Sequence, residues 1–334
     1  MKILLTGGTG YIGSHTAIEL INSGYTVELL DNLRNSKSEV IDKIEQITKV
    51  RPVLHQINLL DQPALDHLLA SGDFDACIHF AGLKAVTESI NKPLLYYRTN
   101  LISTLNLLEA CRTHKIKHFV FSSSATVYGA SDIACFTEDS PVGQNITNPY
   151  GQTKYMIEQI LHDFSVANPD YNITILRYFN PVGAHPSGLI GEDPNDIPNN
   201  LMPIMMKVHT SEIPTLSIYG NDYDTPDGTC MRDFIHVVDL AKGHVAALKH
   251  SHLGVSTYNL GTGRPTSVME MVAAFEEISG QPLPHKIAPR RPGDIAVCYA
   301  DPTKANRDLG WSAELTPTDA IKDALHYLST TKTT

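Results

Sequence analysis

Short apolar runs alternate with stretches of helical periodicity along the first half of the chain. Lys2 to Thr6 reads as a strand, Ile12 to Ser23 as a helix and Thr26 to Leu30 as a second strand. Val53 to Ile57, Ala76 to Phe80, His118 to Ser122 and Ile173 to Arg177 have the same strand texture. Helical stretches lie between, notably Pro93 to Thr113 and Pro149 to Ala167. Strands that alternate with crossover helices predict an α/β fold built on a doubly wound parallel sheet. After Tyr178 the texture changes. Residues 181–230 hold many Pro, Gly, Asn and Asp, which predicts a smaller, loop-rich substrate-binding region laid over the sheet. Asp233 to Leu248 and Tyr258 to Leu260 read as a return to the core sheet, and Ser329 to Thr334 as a frayed end.

Composition narrows the function classes. With 334 residues, 42% hydrophobic and 19% charged, the chain is an ordinary globular protein with a sizeable core. A net charge of -10 argues against a nucleic-acid partner, which requires a basic face. No apolar run is long enough to span a bilayer, and Met1 leads straight into a strand, which leaves no room for a signal peptide. Five scattered cysteines without a Cys-x-x-Cys pair fit reduced thiols in a cytoplasmic enzyme. The 15 histidines include no His-Glu-x-x-His; His114 and His118 are four apart, but the helix should end between them, so no metal is expected.

The first chemical motif is Gly7-Gly8-Thr9-Gly10-Tyr11-Ile12-Gly13, between the first strand and the first helix. Gly8, Gly10 and Gly13 fit Gly-x-Gly-x-x-Gly, and Gly7, Gly10 and Gly13 fit Gly-x-x-Gly-x-x-Gly. Both registers need glycine for a tight turn, for close approach of a pyrophosphate and for helix-to-strand packing. Asp31 ends the next strand, where a carboxylate accepts hydrogen bonds from the adenosine ribose and repels a 2′-phosphate. The expected cofactor is therefore NAD, held by a Rossmann-type domain. Arg34 is the counter-signal, since a nearby arginine could serve NADP.

The second motif handles a proton. Tyr150 and Lys154 are four apart, on one face of a helix that Asn148 and Pro149 would start. A free phenol titrates near pH ~10, too high for a base at neutral pH. The Lys154 ammonium and a positive nicotinamide ring would both lower it. Ser124 falls at the carboxyl edge of the sheet, where its hydroxyl could hold the reacting oxygen. These are the catalytic candidates: Tyr150, Lys154 and Ser124.

That order of motifs resembles the extended short-chain dehydrogenase/reductase superfamily, and the resemblance sharpens to the UDP-glucose (UDP-galactose) 4-epimerase family over nearly the whole chain. Its carriers are Phe80-Ala81-Gly82-Leu83-Lys84, Ser122 to Gly129, Arg177 to Ala184, Asn199 to Pro203, Tyr219 to Tyr223, Cys230 to Val237 and Arg290-Arg291-Pro292-Gly293-Asp294. The resemblance implies a bound NAD touched by Gly7, Gly10, Tyr11, Ile12, Gly13, Asp31, Asn32, Asn35, Ser36, Asn58, Leu59, Phe80, Ala81, Gly82, Lys84, Asn100, Ser122, Tyr150, Lys154 and Tyr178. Asn58 departs from the family, which usually has Asp near the adenine. The resemblance also implies a UDP-sugar site. Tyr219 would stack on uracil, Arg232 and Arg291 would pair with the phosphates, and Asp294 would hold the uridine ribose. Lys84, Ser124, Tyr150, Phe179, Asn180, Asn200, Leu201 and Leu216 would complete it. His236, Met202, Met205 and Met206 read as core or supporting residues. The implied domains are 1–179 with 233–262 for NAD and 180–232 with 263–334 for the UDP-sugar. A homodimer through the helices at 93–113 and 149–167 is also implied.

The implied reaction inverts C4 of UDP-galactose and UDP-glucose through a 4-keto sugar. A sugar-nucleotide 4,6-dehydratase would need a carboxylate just after the serine motif, where Ala125, Thr126 and Val127 stand. A decarboxylase would need a further contact to a carboxylate, and no residue stands out for it. A non-catalytic NAD-sensing protein would have lost Tyr150 or Lys154. Cys298 falls at the position that walls the pocket near the sugar C2 substituent, where a tyrosine restricts family members to plain hexoses. Its small size implies turnover of the N-acetylated UDP-hexoses too.

Overall fold

The structure, a computed structural model, describes residues 1–195, 200–250, 252–291 and 293–332. Asn199 and Pro292, within two of the segments above, and the end residues Thr333 and Thr334 lie outside the described residues. The strands in chain order are β1 (Lys2–Thr6), β2 (Thr26–Asp31), β3 (Val53–Gln56), β4 (Ala76–His79), β5 (His118–Ser124), β6 (Cys135–Phe136), β7 (Asn172–Tyr178), β8 (Asn180–Val182), β9 (Leu216–Tyr219), β10 (Met231–Arg232), β11 (Phe234–His236), β12 (Gly254–Leu260), β13 (Thr266–Ser267), β14 (His285–Ala288) and β15 (Val297–Ala300). The α-helices are α1 (Tyr11–Asn22), α2 (Val40–Thr48), α3 (Gln62–Gly72), α4 (Val86–Asn91), α5 (Pro93–Thr113), α6 (Pro149–Ala167), α7 (Leu201–His209), α8 (Val237–Lys249), α9 (Val268–Ser279), α10 (Thr303–Leu309) and α11 (Pro317–Lys332).

Seven parallel strands form the main sheet in the order β12-β7-β5-β4-β1-β2-β3. The chain reverses direction of growth between β1 and β4, which opens a crevice at their carboxyl ends. The central strands β1, β4, β5 and β7 are buried on both faces, so they read as largely apolar runs. In β1, Ile3 and Leu5 enter one core cluster and Leu4 the other, because successive side chains point to opposite faces. The first cluster is closed by residues of α1, α2 and α8, and the second by α3, α5 and α6.

Three differences from the sequence reading matter. Strand β5 continues through Ser123 and Ser124, which pair with Arg177 and Tyr178 of β7; polar residues at a strand end look like loop to an apolar pattern. Strand β4 stops at His79, because the N–H groups of Phe80 and Ala81 both turn to the Thr6 carbonyl at 3.0 and 3.1 Å. The Asp233 to Leu248 segment returns to the core through Ile235 and α8, not as a strand of the main sheet. Its strand β11 pairs with β8 in a separate two-stranded sheet. Tyr258 to Leu260 does join the main sheet, as the end of edge strand β12. Of the remaining small sheets, β14-β9 borders a third core cluster that includes Met202, Met205 and Leu216, while β13-β10-β15-β6 takes β6 from the first half of the chain and gives Phe136 and Ala300 to a fourth cluster.

Candidate active site

The glycine turn joins β1 to α1 at the crevice. Gly7 has φ 70° and a Cβ there would lie 2.8 Å from the Ala81 nitrogen. A Cβ on Gly13 would lie 2.3 Å from the Gly7 carbonyl oxygen, and one on Gly10 3.2 Å from it. Gly8 is constrained differently, by the Leu29 side chain at 2.8 Å. Gly7, Gly10 and Gly13 therefore form one interlocked turn. Gly10 caps α1 without a side-chain hydrogen bond, so the first amides of α1 are open to an anion. Asp31 closes β2 and is fastened by the Thr9 amide (3.2 Å), the Leu33 amide (2.9 Å) and the Ser36 hydroxyl (3.2 Å). Asn32 is exposed, and Asn35 and Ser36 follow on the same loop. Arg34 lies 3.9 Å from Glu88 and is thus turned to a carboxylate of the chain. The residues present fit a dinucleotide: a cradle that any Cβ would fill, open helix amides and a fixed carboxylate.

The other expected cofactor residues take varied places. Tyr11 donates to the Gly183 carbonyl at 2.7 Å, which ties the turn to the loop-rich half, and Ile12 packs on the first core cluster. Asn58 accepts from the Leu60 amide at 3.1 Å, and Leu59 is buried. Asn100 is buried and spends its amide on both backbone groups of Leu83 (2.8 and 3.0 Å) and on the Thr153 hydroxyl (3.0 Å). It thereby braces the Gly82 to Lys84 loop against α6. Lys84 pairs with Glu192 at 3.1 Å, and Asn200 donates to the same carboxylate oxygen at 2.9 Å. The Phe80 ring packs on His244, which also hydrogen-bonds the Tyr178 hydroxyl.

Tyr150 and Lys154 project from the first turns of α6. Asn148 caps the helix by accepting from the Gly151 amide at 2.8 Å, with Pro149 in the first turn. Tyr150 faces the Ser124 side chain, which acts on its phenol. Ser124 Oγ also accepts from the Thr126 amide (3.2 Å) and hydroxyl (3.0 Å), which leaves its own proton free to be donated. Burial holds the Tyr150 phenol above its ordinary value, and the Ser124 hydroxyl pulls the other way. Lys154 is tied to the strand end beneath the Tyr150 ring. Its Nζ donates to the Ser122 carbonyl at 2.5 Å and sits 5.9 Å from the Tyr150 ring centroid. Burial also pulls the Lys154 ammonium down to about 7.

Across the crevice, Arg232 donates to the Met231 and Ile295 carbonyls (2.8 Å each) and lies 3.6 Å from Asp294. The Arg291 guanidinium stacks on Tyr219 at 3.8 Å from its centroid. The expected uracil-stacking ring thus already carries a cation on one face. Phe179 and Cys298 pack in one cluster with Val127, Tyr128 and Phe136, and Cys298 pairs with Arg232 across β15 and β10. Asn180 is exposed, and Leu201 lies at the edge of the third core cluster. Leu216 is 2% exposed, its side chain in that core and its amide bonded to the Pro284 carbonyl, so it offers a ligand little beyond backbone. His236 is buried, caps α8 and meets Asp323 at 3.1 Å.

This arrangement of glycine turn, acid and Ser-Tyr-Lys set agrees with the comparisons. A family model described as NAD dependent epimerase/dehydratase family matches residues 3–261. The chain belongs to this family. It is 55% identical over 316 residues to a UDP-glucose 4-epimerase of Bacillus subtilis (strain 168), covering 94% of this chain and 93% of that one. A Dictyostelium discoideum UDP-glucose 4-epimerase is 52% identical over 331 residues, covering 98% and 96%. The crystal structure of UDP-glucose 4-epimerase from Bifidobacterium longum in complex with NAD+ and UDP superposes with a TM-score of 0.96 at 50% identity, covering 99% of both chains. Within the family's matched span lie the glycine turn, Asp31, Ser124, Tyr150 and Lys154.

Sequence reasoning passed over three residues that the structure brings into the site's frame. Thr126 orients Ser124, Glu192 joins Lys84 to Asn200, and Glu158 lies one turn beyond Lys154 on α6. Only Glu158 left a sequence signal, the four-residue spacing from Lys154.

Proposed function

We propose that this chain inverts C4 of UDP-hexoses, interconverting UDP-galactose and UDP-glucose, with NAD as a resident cofactor. The observation that carries the reading is the placement of Tyr150 and Lys154 on one face of α6 against the Ser122–Ser124 end of β5, at the carboxyl edge of the sheet. NAD, when bound, supplies a ring that takes a hydride from C4 and gives it back. The chain supplies the proton chemistry. Tyr150 Oη takes the proton of the 4-hydroxyl, and Ser124 donates its free proton toward the same oxygen. Because burial raises the Tyr150 phenol, the base needs positive charge nearby, which a bound nicotinamide ring provides. Inversion requires the flat 4-keto sugar to present its other face. Arg232, Arg291, Asp294 and Tyr219 are placed to grip the nucleotide while the hexose turns. Loss of water is not served, since Ala125, Thr126 and Val127 carry no carboxylate. The test is incubation with UDP-galactose and no added NAD, followed by proton NMR of the anomeric region. UDP-glucose is expected; a stable keto sugar or no change contradicts the reading.

The same reading assigns 1–179 with 233–262 to cofactor binding and 180–232 with 263–334 to the UDP-sugar. Exposed Leu94, Ile102 and Leu105 on α5 and Val166 on α6 support a homodimer through these helices. No helix among the described residues is long and apolar enough to cross a membrane, and the five cysteines are free, which supports a cytoplasmic enzyme. Since NAD is regenerated at each turnover, purified protein is expected to carry it. Nucleotide released by denaturation should approach one per chain, and protein free of nucleotide would contradict this.

Cys298 supports a wider substrate range. It lies half-buried beside Phe179, where a tyrosine ring would fill space that an N-acetyl group sweeps as the sugar turns. Neighbouring Tyr299 pairs with Cys135, and on a strand it points to the opposite face. The enzyme is expected to interconvert UDP-N-acetylglucosamine and UDP-N-acetylgalactosamine. Cys298→Tyr should suppress that reaction and largely spare UDP-galactose; equal loss of both rejects the assignment.

A further inference from the structure

Tyr150, Lys154 and Glu158 form one stripe along α6, each one turn from the next. The last three residues of β5 face this stripe. The Ser124 side chain lies toward Tyr150, the Ser122 carbonyl accepts from Lys154 at 2.5 Å, and the Ser123 hydroxyl donates to Glu158 Oε1 at 2.5 Å. Three strand residues thus meet three helix turns, and the third rung is outside the motif that the chemistry needs.

Glu158 is 1% exposed and cannot move off this rung. Arg177 grips it with two bonds, Nε to Oε1 at 3.1 Å and Nη2 to Oε2 at 2.7 Å. The register of β5 and β7 sets Arg177 beside Ser123, so both reach the same carboxylate from neighbouring strands. Arg177 is itself held by the Tyr128 hydroxyl (3.1 Å) and the Glu138 carbonyl (3.2 Å). A buried ion pair is poor evidence of added stability, because two apolar side chains often do as well. Its retention here calls for another reason.

Lys154 supplies one. It is a buried cation whose hydrogen-bond partner is a neutral carbonyl. The titratable groups placed against it are Tyr150 and Glu158 from α6 and His79 from β4. His79 is held neutral, pushed down to about 3 by burial and by Lys154 itself. Tyr178 is raised by burial and stays a neutral phenol. Glu158 is the anion of this set, and its charge opposes the burial that pulls Lys154 down.

We propose that Glu158 is a positioning residue of the reaction: it locks the Tyr150–Lys154 stripe to the Ser122–Ser124 strand end and supplies the buried negative charge that keeps Lys154 an ammonium. This rests on the catalytic roles given to Tyr150 and Lys154 above. The sign follows directly. Without the carboxylate, the ammonium is less favoured and Lys154 loses its proton at lower pH. Activity that needs the ammonium then falls at lower pH.

The test compares kcat-against-pH profiles for UDP-galactose in wild type and Glu158→Gln. The variant is expected to lose about tenfold in kcat at neutral pH, with its alkaline limb moved down by about one pH unit, where one unit is a tenfold change in protonation. KM should stay within about threefold, because the carboxylate is remote from the nucleotide grip. Glu158→Asp keeps the charge and should move the limb less. Glu158→Gln leaves Arg177 unpaired and could fail to fold. The double variant Glu158→Leu with Arg177→Met removes both charges; loss of the cation partly offsets loss of the carboxylate, so its limb should fall between those of wild type and Glu158→Gln. A folded variant without a carboxylate that keeps the wild-type limb overturns the proposal, as does a Glu158→Asp limb displaced as far as that of Glu158→Gln. An inactive wild type would instead sink the epimerase reading.

Discussion

Tyr150→Phe is expected to lower kcat for UDP-galactose by about 10²- to 10⁴-fold, the usual cost of losing a general base. The substitution keeps the ring and α6 and removes only the oxygen that meets Ser124. UDP affinity should stay near wild type, because Tyr219, Arg232, Arg291 and Asp294 belong to other elements. Steady-state kinetics with titration of UDP separate the two quantities. If the variant kept more than about a tenth of the activity, the base would have to lie elsewhere. Lys154→Ala should also impair turnover and move the pH optimum upward. The Lys154 charge lies under the ring, so its removal should cost less than removal of the phenol itself.

Gly13→Ala is the second large effect. The new Cβ would meet the Gly7 carbonyl oxygen at 2.3 Å and the Gly8 Cα at 2.9 Å, both backbone atoms that cannot swing away. The turn has to open to admit it. Overpacking of this kind costs about 1–3 kcal/mol, and if it falls on the NAD-binding conformation, affinity drops about 10- to 100-fold. Protein carrying this variant should lose nucleotide during gel filtration that the wild type retains. Full retention of nucleotide would show that the turn does not cradle the cofactor.

What could be read from the sequence follows a physical division. Regular features with local causes were legible. Strands β1 and β2, the glycine turn, and the spans of α5 and α6 come from periodicity, glycine geometry and helix-starting residues such as Asn148-Pro149. Asp31 was legible because it closes a strand at a set distance from the turn. Features decided by distant partners were not. Nothing local makes β11 leave the main sheet; β8 takes it. Ser123 looks like a loop serine until Arg177 and Glu158 stand beside it. Spacing alone sets Lys154 beside Tyr150, but spacing cannot reveal that the Ser122 carbonyl accepts from its ammonium. Arg291 on Tyr219 is of the same kind, a contact between segments 72 residues apart in sequence.

The central claim is that the hydrogen leaving C4 is the one that returns to it. Wild-type protein should therefore be incubated with UDP-galactose carrying deuterium at C4, in ordinary water and without added NAD. The UDP-glucose formed is expected to retain the deuterium at C4, because hydrogen transferred as hydride would stay bound to carbon throughout and carbon-bound hydride does not exchange with water. UDP-glucose carrying protium at C4, or recovery of unconverted UDP-galactose, would contradict the account.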